Sequence, residues 1–396
     1  MQIVSRKTGI DRQSMRLDPD GEITRLRQFG PVFWSDLNLR WIVLGQQEGL
    51  SVLQHRQFCL PNYGPLILNL ADKLKIDLSH LYSISQFIPF LHNGERHKKT
   101  RAAITRLTAE LQPAYINHLP QVIDRLLSNY SNGQTFNFTT AFSDLIHIDT
   151  ISSIIGLAPA DMLDLNAKLS AEELNYNNSV MEFVESNSGI KFAFNELKRL
   201  TDSTPSLQNY VAKIKQTLLN LGLESDFDSQ IYCLMAICIL GKDTISGALS
   251  LSMRKLFEEH GQSIDPKKAL QGEHFSREML RTSAPVNLVE REAIESCALG
   301  SHQISKGDRL LVVIRAINTD PSAYACPFKS LGAMQKHFSF GSGIHACVGR
   351  TLAMEAVQAA FAKLSEFKAL HQVDDPVMGS GRNTRKVNTL KMRLQA

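Results

Sequence analysis

FSFGSGIHACVGRTLAMEAV, residues 338–357, sets one cysteine, Cys347, among three glycines, with His345 two residues ahead of it. Gly341, Gly343 and Gly349 leave no Cβ in the way of a flat partner. Past the cysteine, Leu352, Ala353, Ala356, Val357, Ala360, Phe361 and Leu364 fall on one helical face. A helix is therefore expected to open just after Cys347 and to end near Phe367. A cysteine at a helix N-terminus meets unpaired N–H groups and the positive end of the dipole, and both favour the thiolate over the thiol.

A thiolate held this way is a good axial ligand for haem iron. The segment resembles the haem-binding signature of the cytochrome P450 family, spaced F-G-x-G-x-H-x-C-x-G-x-x-L-A. Phe340, Gly341, Gly343, His345, Cys347, Gly349, Leu352 and Ala353 fill every fixed position. So many fixed positions set it apart from a structural cysteine in a glycine loop. The resemblance implies a mainly α fold with small β-sheets in a single large domain, 1–396. It implies a β-rich region at about 25–60 and a helical core at about 96–280 and 347–367. It also implies haem b (iron protoporphyrin IX) with Cys347 on the metal and Phe340 and Gly349 beside it.

Other stretches resemble further parts of such a site. GERHKKTRAAI holds His97 and Arg101, four apart and so on one helix face. With Arg291 and His345 they match the family's propionate-binding positions. Glu278 and Arg281 form E-x-x-R, which resembles the family's structural ion pair and is also an ordinary helix pair. The third partner of that network is not identifiable from sequence. LGKDTISG resembles the oxygen-activation segment (A/G)-G-x-(D/E)-T through Gly241, Asp243 and Thr244. Reduced dioxygen must take up two protons, which a carboxylate can relay and a hydroxyl can hold in place. The plainer alternative is an exposed Asp and a Thr bonded back to its own helix. Leu240 departs from the usual small residue, and Met354 from a frequent Arg. Leu240, Gly241, Asn287 and Leu288 are expected in the substrate pocket, together with parts of 59–93 and 171–199.

The rest of the chain agrees in kind. Its 396 residues, 43% hydrophobic, can bury a large core. A net charge of +4 is too mild for a dedicated nucleic-acid binder. The N-terminus shows no apolar signal region, and the run Ile231 to Leu240 is too short to span a bilayer. A cytoplasmic protein that uses neither nucleic acid nor membrane is expected. No two of Cys59, Cys233, Cys238, Cys297, Cys326 and Cys347 have CxxC spacing.

PVFWSDLNLRWIVLG reads as a hairpin turning at Asp36 to Asn38. Helices are expected from about Arg96 to Tyr130, over much of Asn137 to Leu221, from about Ser229 to Glu259, and from His274 to Arg281. Loops are expected at Ser186 to Gly189 and at Asp202 to Pro205. ESCALGSHQISKGDRLLVVIRAIN reads as strands with a turn at Lys306 to Asp308.

No flavin or nicotinamide fingerprint is present, so electrons are expected from a ferredoxin or flavodoxin. Arg96, Lys98, Lys99, Arg106, Lys336 and Arg350 could offer it a basic face. The implied activity is insertion of one oxygen atom from O2 into a small-molecule or carrier-tethered substrate, in secondary metabolism. A peroxide-driven or rearranging haem-thiolate enzyme is the alternative, and the Asp-Thr pair speaks against it. A haem-binding sensor or carrier without turnover is the rival from another class.

Overall fold

The computed structural model describes residues 8–158, 160–162, 165, 179–270, 275–326, 336–381 and 384–396. At its centre runs the helix Phe227–His260, 34 residues long. The Asp226 carboxylate caps it by accepting the Ser229 N–H, and Gly261 ends it at φ 89°. Ile231 to Ile239 are buried on every side of this helix, so it must be enclosed by protein. Its composition and length would suit a membrane span, yet 83% of the apolar window lies inside the fold. Helices Ile146–Ile155, Val180–Ser203, Pro205–Asn220, Phe275–Thr282 and Arg350–Leu364 pack against it. Gly94–Ser128 packs in turn on Ile146–Ile155 and Arg350–Leu364.

The expected hairpin forms from Val32–Ser35 and Arg40–Val43, with Trp34 opposite Trp41. Its sheet is completed from far away in sequence. Arg309–Val313 joins parallel to Arg40–Val43, then Leu288–Ala293 and Phe58–Cys59 follow in antiparallel pairing. The β-rich region expected at about 25–60 thus borrows two strands from beyond residue 288, and it also contains the helix Gln46–Gln54.

Several local expectations meet the structure differently. Ser186 to Gly189 is not a loop, because Val180–Ser203 runs through it as one helix. Asn187 is buried there, and its Oδ1 accepts the Leu81 N–H at 2.9 Å. That tertiary contact outweighs the weak helix propensity of Ser and Gly. The break at 202–205 does occur, with Pro205 opening the next helix. The end of the expected strand segment is instead the short helix Ile314–Asn318. His274, the expected start of its helix, lies outside the described residues, as do 171–178 of the expected pocket.

His147 is a polar residue buried in this core, hydrogen-bonded through Nδ1 to Tyr115 Oη at 3.1 Å. Burial pushes its pKa down to about 4. At pH 5 the unfolded chain protonates this histidine and the folded chain does not, so stability rises with pH from about 4 to 6.5 on its account. The penalty from this one residue at pH 5 is about 2 kcal/mol. His147→Gln should flatten the pH dependence of urea unfolding over that interval. An unchanged slope would remove His147 as its source.

Candidate active site

Three backbone hydrogen bonds fold the loop that carries Cys347. Gly341 N–H donates to Phe338 C=O at 2.8 Å, Ala346 N–H to Gly343 C=O at 3.1 Å, and Cys347 N–H to Phe340 C=O at 2.8 Å. Gly343 sits at φ +71°, and a Cβ there would lie 2.4 Å from the Leu53 carbonyl oxygen. Only glycine fits that approach. The helix Arg350–Leu364 opens from Gly349 and buries the expected face, Leu352, Ala356, Val357, Ala360, Phe361 and Leu364, with Ala353 half-buried.

Cys347 keeps accessible area, although protein surrounds it closely enough that burial raises its thiol pKa. The two facts agree if the sulfur faces an interior space rather than the outer surface. The Gly349 N–H, Arg101 and Arg350 pull the pKa down without overcoming that burial. The N–H at the helix opening thus lowers the thiol pKa as expected, and burial without a bound metal acts against it. A coordinating metal ion would supply the missing positive charge.

Four basic side chains meet at this loop, His345 from within it. His97, on Gly94–Ser128, is buried, and its ring lies 4.2 Å from that of His345, tilted by 55°. Arg101, one turn on, donates from Nη1 to Ala346 C=O at 2.7 Å and so ties its helix to the cysteine loop. Arg291 is buried on the strand Leu288–Ala293. His345 is depressed to about 3, first by burial and then by Arg291, His97 and Arg101. The charges acting on it are all positive. Among the described residues, His97 Nε2 and both ring nitrogens of His345 are buried without a hydrogen-bond partner. Orphaned imidazole nitrogens in a positive field make a corner that calls for an anion.

Haem b is not part of this structure, and the residues present fit it. The cationic corner suits two propionates, the accessible cysteine suits the metal, and the Gly343 approach keeps the loop flat against its neighbours. Phe340 is half-buried at the start of the loop, with the Arg350 guanidinium 5.6 Å from its ring centre.

On the central helix, Leu240, Gly241 and Thr244 keep accessible surface, whereas 231–239 and 245–253 are buried. Leu240 and Thr244 are four apart and share a face. The Thr244 hydroxyl lies 3.3 Å from the carbonyls of both Leu240 and Gly241, turned back onto its own helix. Asp243 is buried rather than exposed, with Lys386 Nζ 3.9 Å from its Oδ1. The same Nζ lies 3.0 Å from Asp144 Oδ1, and Asp144 also accepts the Ser246 hydroxyl. Gly241 points elsewhere: a Cβ on it would lie 2.5 Å from His147.

The two remaining pocket residues separate. Asn287 is buried, and its Oδ1 has no hydrogen-bond partner among the described residues. Leu288 packs with Ile10, Met15, Ile23 and Leu311 on the far side of the sheet. Strand alternation explains this, since Leu288 and Arg291 sit at odd separation and face opposite ways. That signal was present in the sequence.

Glu278 and Arg281 form the expected pair at 3.0 Å, fully buried. The partners that sequence reading missed are Asn318 and Tyr324. Arg281 Nη1 donates to Asn318 C=O at 2.8 Å, and its guanidinium lies 4.6 Å from the centre of the Tyr324 ring. Asn318 then reaches the cysteine loop, through Nδ2 to Ser339 Oγ at 2.9 Å and from Phe338 N–H to Oδ1 at 2.7 Å.

The basic face is weaker than its residues suggest. Arg96 pairs with Glu224 at 2.6 Å, Lys98 with Glu95 at 3.5 Å and Arg106 with Glu110 at 3.2 Å. Lys99 Nζ donates to Gly222 C=O at 3.3 Å. Lys336 and Arg350 remain exposed beside Phe338 and Phe340.

A family model described as Cytochrome P450 matches residues 273–381, the span from the Glu278–Arg281 helix past the cysteine helix. Linalool 8-monooxygenase of Pseudomonas putida is 23% identical over 364 residues, covering 88% of each chain. Among solved structures, CalO2 superposes with a TM-score of 0.83 at 17% identity, over 98% of this chain and 99% of that one. The tirandamycin C-bound P450 monooxygenase TamI gives 0.77 at 19% identity, over 98% and 99%.

Proposed function

We propose that the chain, which matches the cytochrome P450 family model over residues 273–381 and shares its fold, is a haem-thiolate monooxygenase of that family acting on an apolar small molecule, free or carrier-tethered. The observation that carries this reading is the docking of the Cys347 loop, with His345 in it, against His97, Arg101 and Arg291. Cys347 would hold the metal, and the four basic residues would hold the propionates. When bound, haem b ligated by a cysteine thiolate supplies the centre at which O2 is reduced and its O–O bond broken. The overall balance is R–H + O2 + two electrons + two protons → R–OH + H2O.

The chain's own residues bind substrate and move protons. Asp243 takes protons from the solvent side, where Lys386 and Asp144 retain partial exposure, and passes them toward Thr244. The Thr244 hydroxyl turns from its weak helix contacts to place the last proton. Leu240, on the same face, narrows the space above. Electrons come from a separate ferredoxin or flavodoxin, met at the exposed Lys336 and Arg350. We place the enzyme in the cytoplasm and in secondary metabolism.

Reconstituted protein with an iron–sulfur or flavin donor system should consume reductant and O2 only when substrate is present, in step with hydroxylated product. Substrate binding without such consumption would favour a sensor or carrier. Thr244→Ala should still take up haem and substrate but release more hydrogen peroxide per electron pair, and Asp243→Asn should slow turnover. Together the two variants should lose about 10²–10⁴-fold in coupled rate, the span typical of a positioned proton donor. Unchanged coupling and rate in both would remove these residues from the mechanism.

Leu240→Ala tests the pocket wall. It should admit bulkier azole ligands and broaden the product range, and it should cost less than the roughly 2–5 kcal/mol of emptying a buried leucine site. Full loss of that stability with an unchanged ligand range would make Leu240 a core residue only.

A further inference from the structure

Helix Ile146–Ile155 lies against the back of the central helix, one turn before Asp243 and Thr244. There the His147 ring takes the place of a side chain at position 241. A Cβ on Gly241 would lie 2.5 Å from both Cε1 and Nε2 of His147 and 2.9 Å from Cδ2. His147 is 4% exposed and Tyr115 is fully buried. Among the described residues, the Tyr115 hydroxyl has His147 Nδ1 as its one hydrogen-bond partner, at 3.1 Å. Were Nδ1 protonated, that hydroxyl would be left without an acceptor. Tyr115 therefore donates, and the neutral ring carries its proton on Nε2. That Nε2–H is buried without a completed hydrogen bond.

The Ile237 carbonyl lies near enough to favour a proton on the ring, although bonding geometry does not join the two. In an α-helix this carbonyl accepts from the Gly241 N–H. Its second lone pair is open to another donor.

We propose that His147 is a positioning residue for the pocket face of the central helix. Its imidazole, held by Tyr115, sets how closely the turn 237–241 can approach helix Ile146–Ile155, and offers Nε2–H to the Ile237 carbonyl. This fixes Leu240 and Thr244 on the adjoining face, about 100° and 60° around the helix from Gly241. The Thr244 hydroxyl touches the carbonyls of Leu240 and Gly241, so a shift of this turn moves its contacts directly. A methyl at 241 must clear a 2.5 Å contact, which requires about 1 Å of movement to reach ordinary van der Waals separation. That Leu240 and Thr244 face substrate rests on the monooxygenase reading; the contact between Gly241 and His147 does not.

The test compares haem-loaded wild type with Gly241→Ala, His147→Ala/Gly241→Ala, His147→Gln and His147→Leu. The probe is phenylimidazole, its affinity read from the Soret shift. Gly241→Ala should change the dissociation constant by about tenfold, the low end of overpacking a filled core. Adding His147→Ala should bring it back to within about threefold of wild type. His147→Leu, which leaves the Tyr115 hydroxyl without its acceptor, should shift it by about fivefold, the worth of one ordinary hydrogen bond, while His147→Gln, whose amide keeps an acceptor and an N–H, stays near wild type.

A double variant no better than Gly241→Ala would overturn the proposal, as would Leu and Gln variants both equal to wild type. Thermal unfolding of the haem-free chain gives a second readout through the same pair of substitutions. Non-additive effects support the contact, and additive effects overturn it. If wild-type protein takes up no haem, the functional reading fails and this cycle alone decides the contact. If the double variant does not fold, the Gln and Leu pair decides.

Discussion

Cys347→Ser should abolish the strongly red-shifted Soret band that a thiolate-ligated haem shows when reduced under carbon monoxide. The loss should be complete rather than graded, because a serine hydroxyl stays protonated where a metal-bound thiol does not. The fold should survive. The hydrogen bond from residue 347 to Phe340 uses the backbone N–H, and the Arg101 contact is to the Ala346 carbonyl. Neither needs the sulfur. A difference spectrum of the reduced protein checks the expectation, with far-ultraviolet circular dichroism as the control for folding. A retained red-shifted band would mean that the metal ligand is another residue.

The second large effect belongs to Arg281→Met. Arg281 and Glu278 are 0% and 1% exposed at their side chains and joined at 3.0 Å. Removing one partner leaves a carboxylate buried without its cation, at a cost of about 3–5 kcal/mol. It also removes the donor to Asn318 C=O, and Asn318 holds Phe338 and Ser339 at the head of the cysteine loop. Urea unfolding should register the loss, and haem occupancy should fall with it. Glu278→Leu combined with Arg281→Met should recover part of the stability, since no lone charge remains. It should recover less of the haem occupancy, since the link through Asn318 is still cut. Equal recovery of both would show that this pair does not support the loop.

Cys347 and its helix were legible because the chemistry there depends on near neighbours. Glycines, a cap and a helical stripe lie within a few residues of one another, and sequence spacing reports such geometry. The long central helix was legible in extent for the same reason. Asp243 was found, but its burial beside Lys386 was not, because 143 positions separate the two in the chain. Asn318 and Tyr324 were missed likewise. What each does depends on Arg281 arriving from another helix. His147 carried no local mark at all, since a histidine in an apolar helix reads as an ordinary core residue. Its meaning lies in the absence of a side chain at Gly241. The Ser186 to Gly189 stretch failed in the opposite direction. Its local sequence prefers a loop, and a buried hydrogen bond from Leu81 outweighs that preference.

Gly343 rests on the Leu53 carbonyl, Arg101 holds Ala346, and the strand carrying Arg291 lies in the same sheet as Arg40–Val43. Synthesis therefore completes the cofactor's cradle late, only once residues 343–347 have been made. A nascent chain stalled before residue 343 has its early helices but no loop for them to hold. Contacts of such long sequence separation form slowly, because loop closure precedes any reward from packing. Haem capture must follow synthesis of this loop, and until then the surfaces that will face the haem stay open to chaperones and to self-association. In a host that overproduces the chain, the supply of haem at the moment of closure would set the yield of folded protein, ahead of the rate of translation.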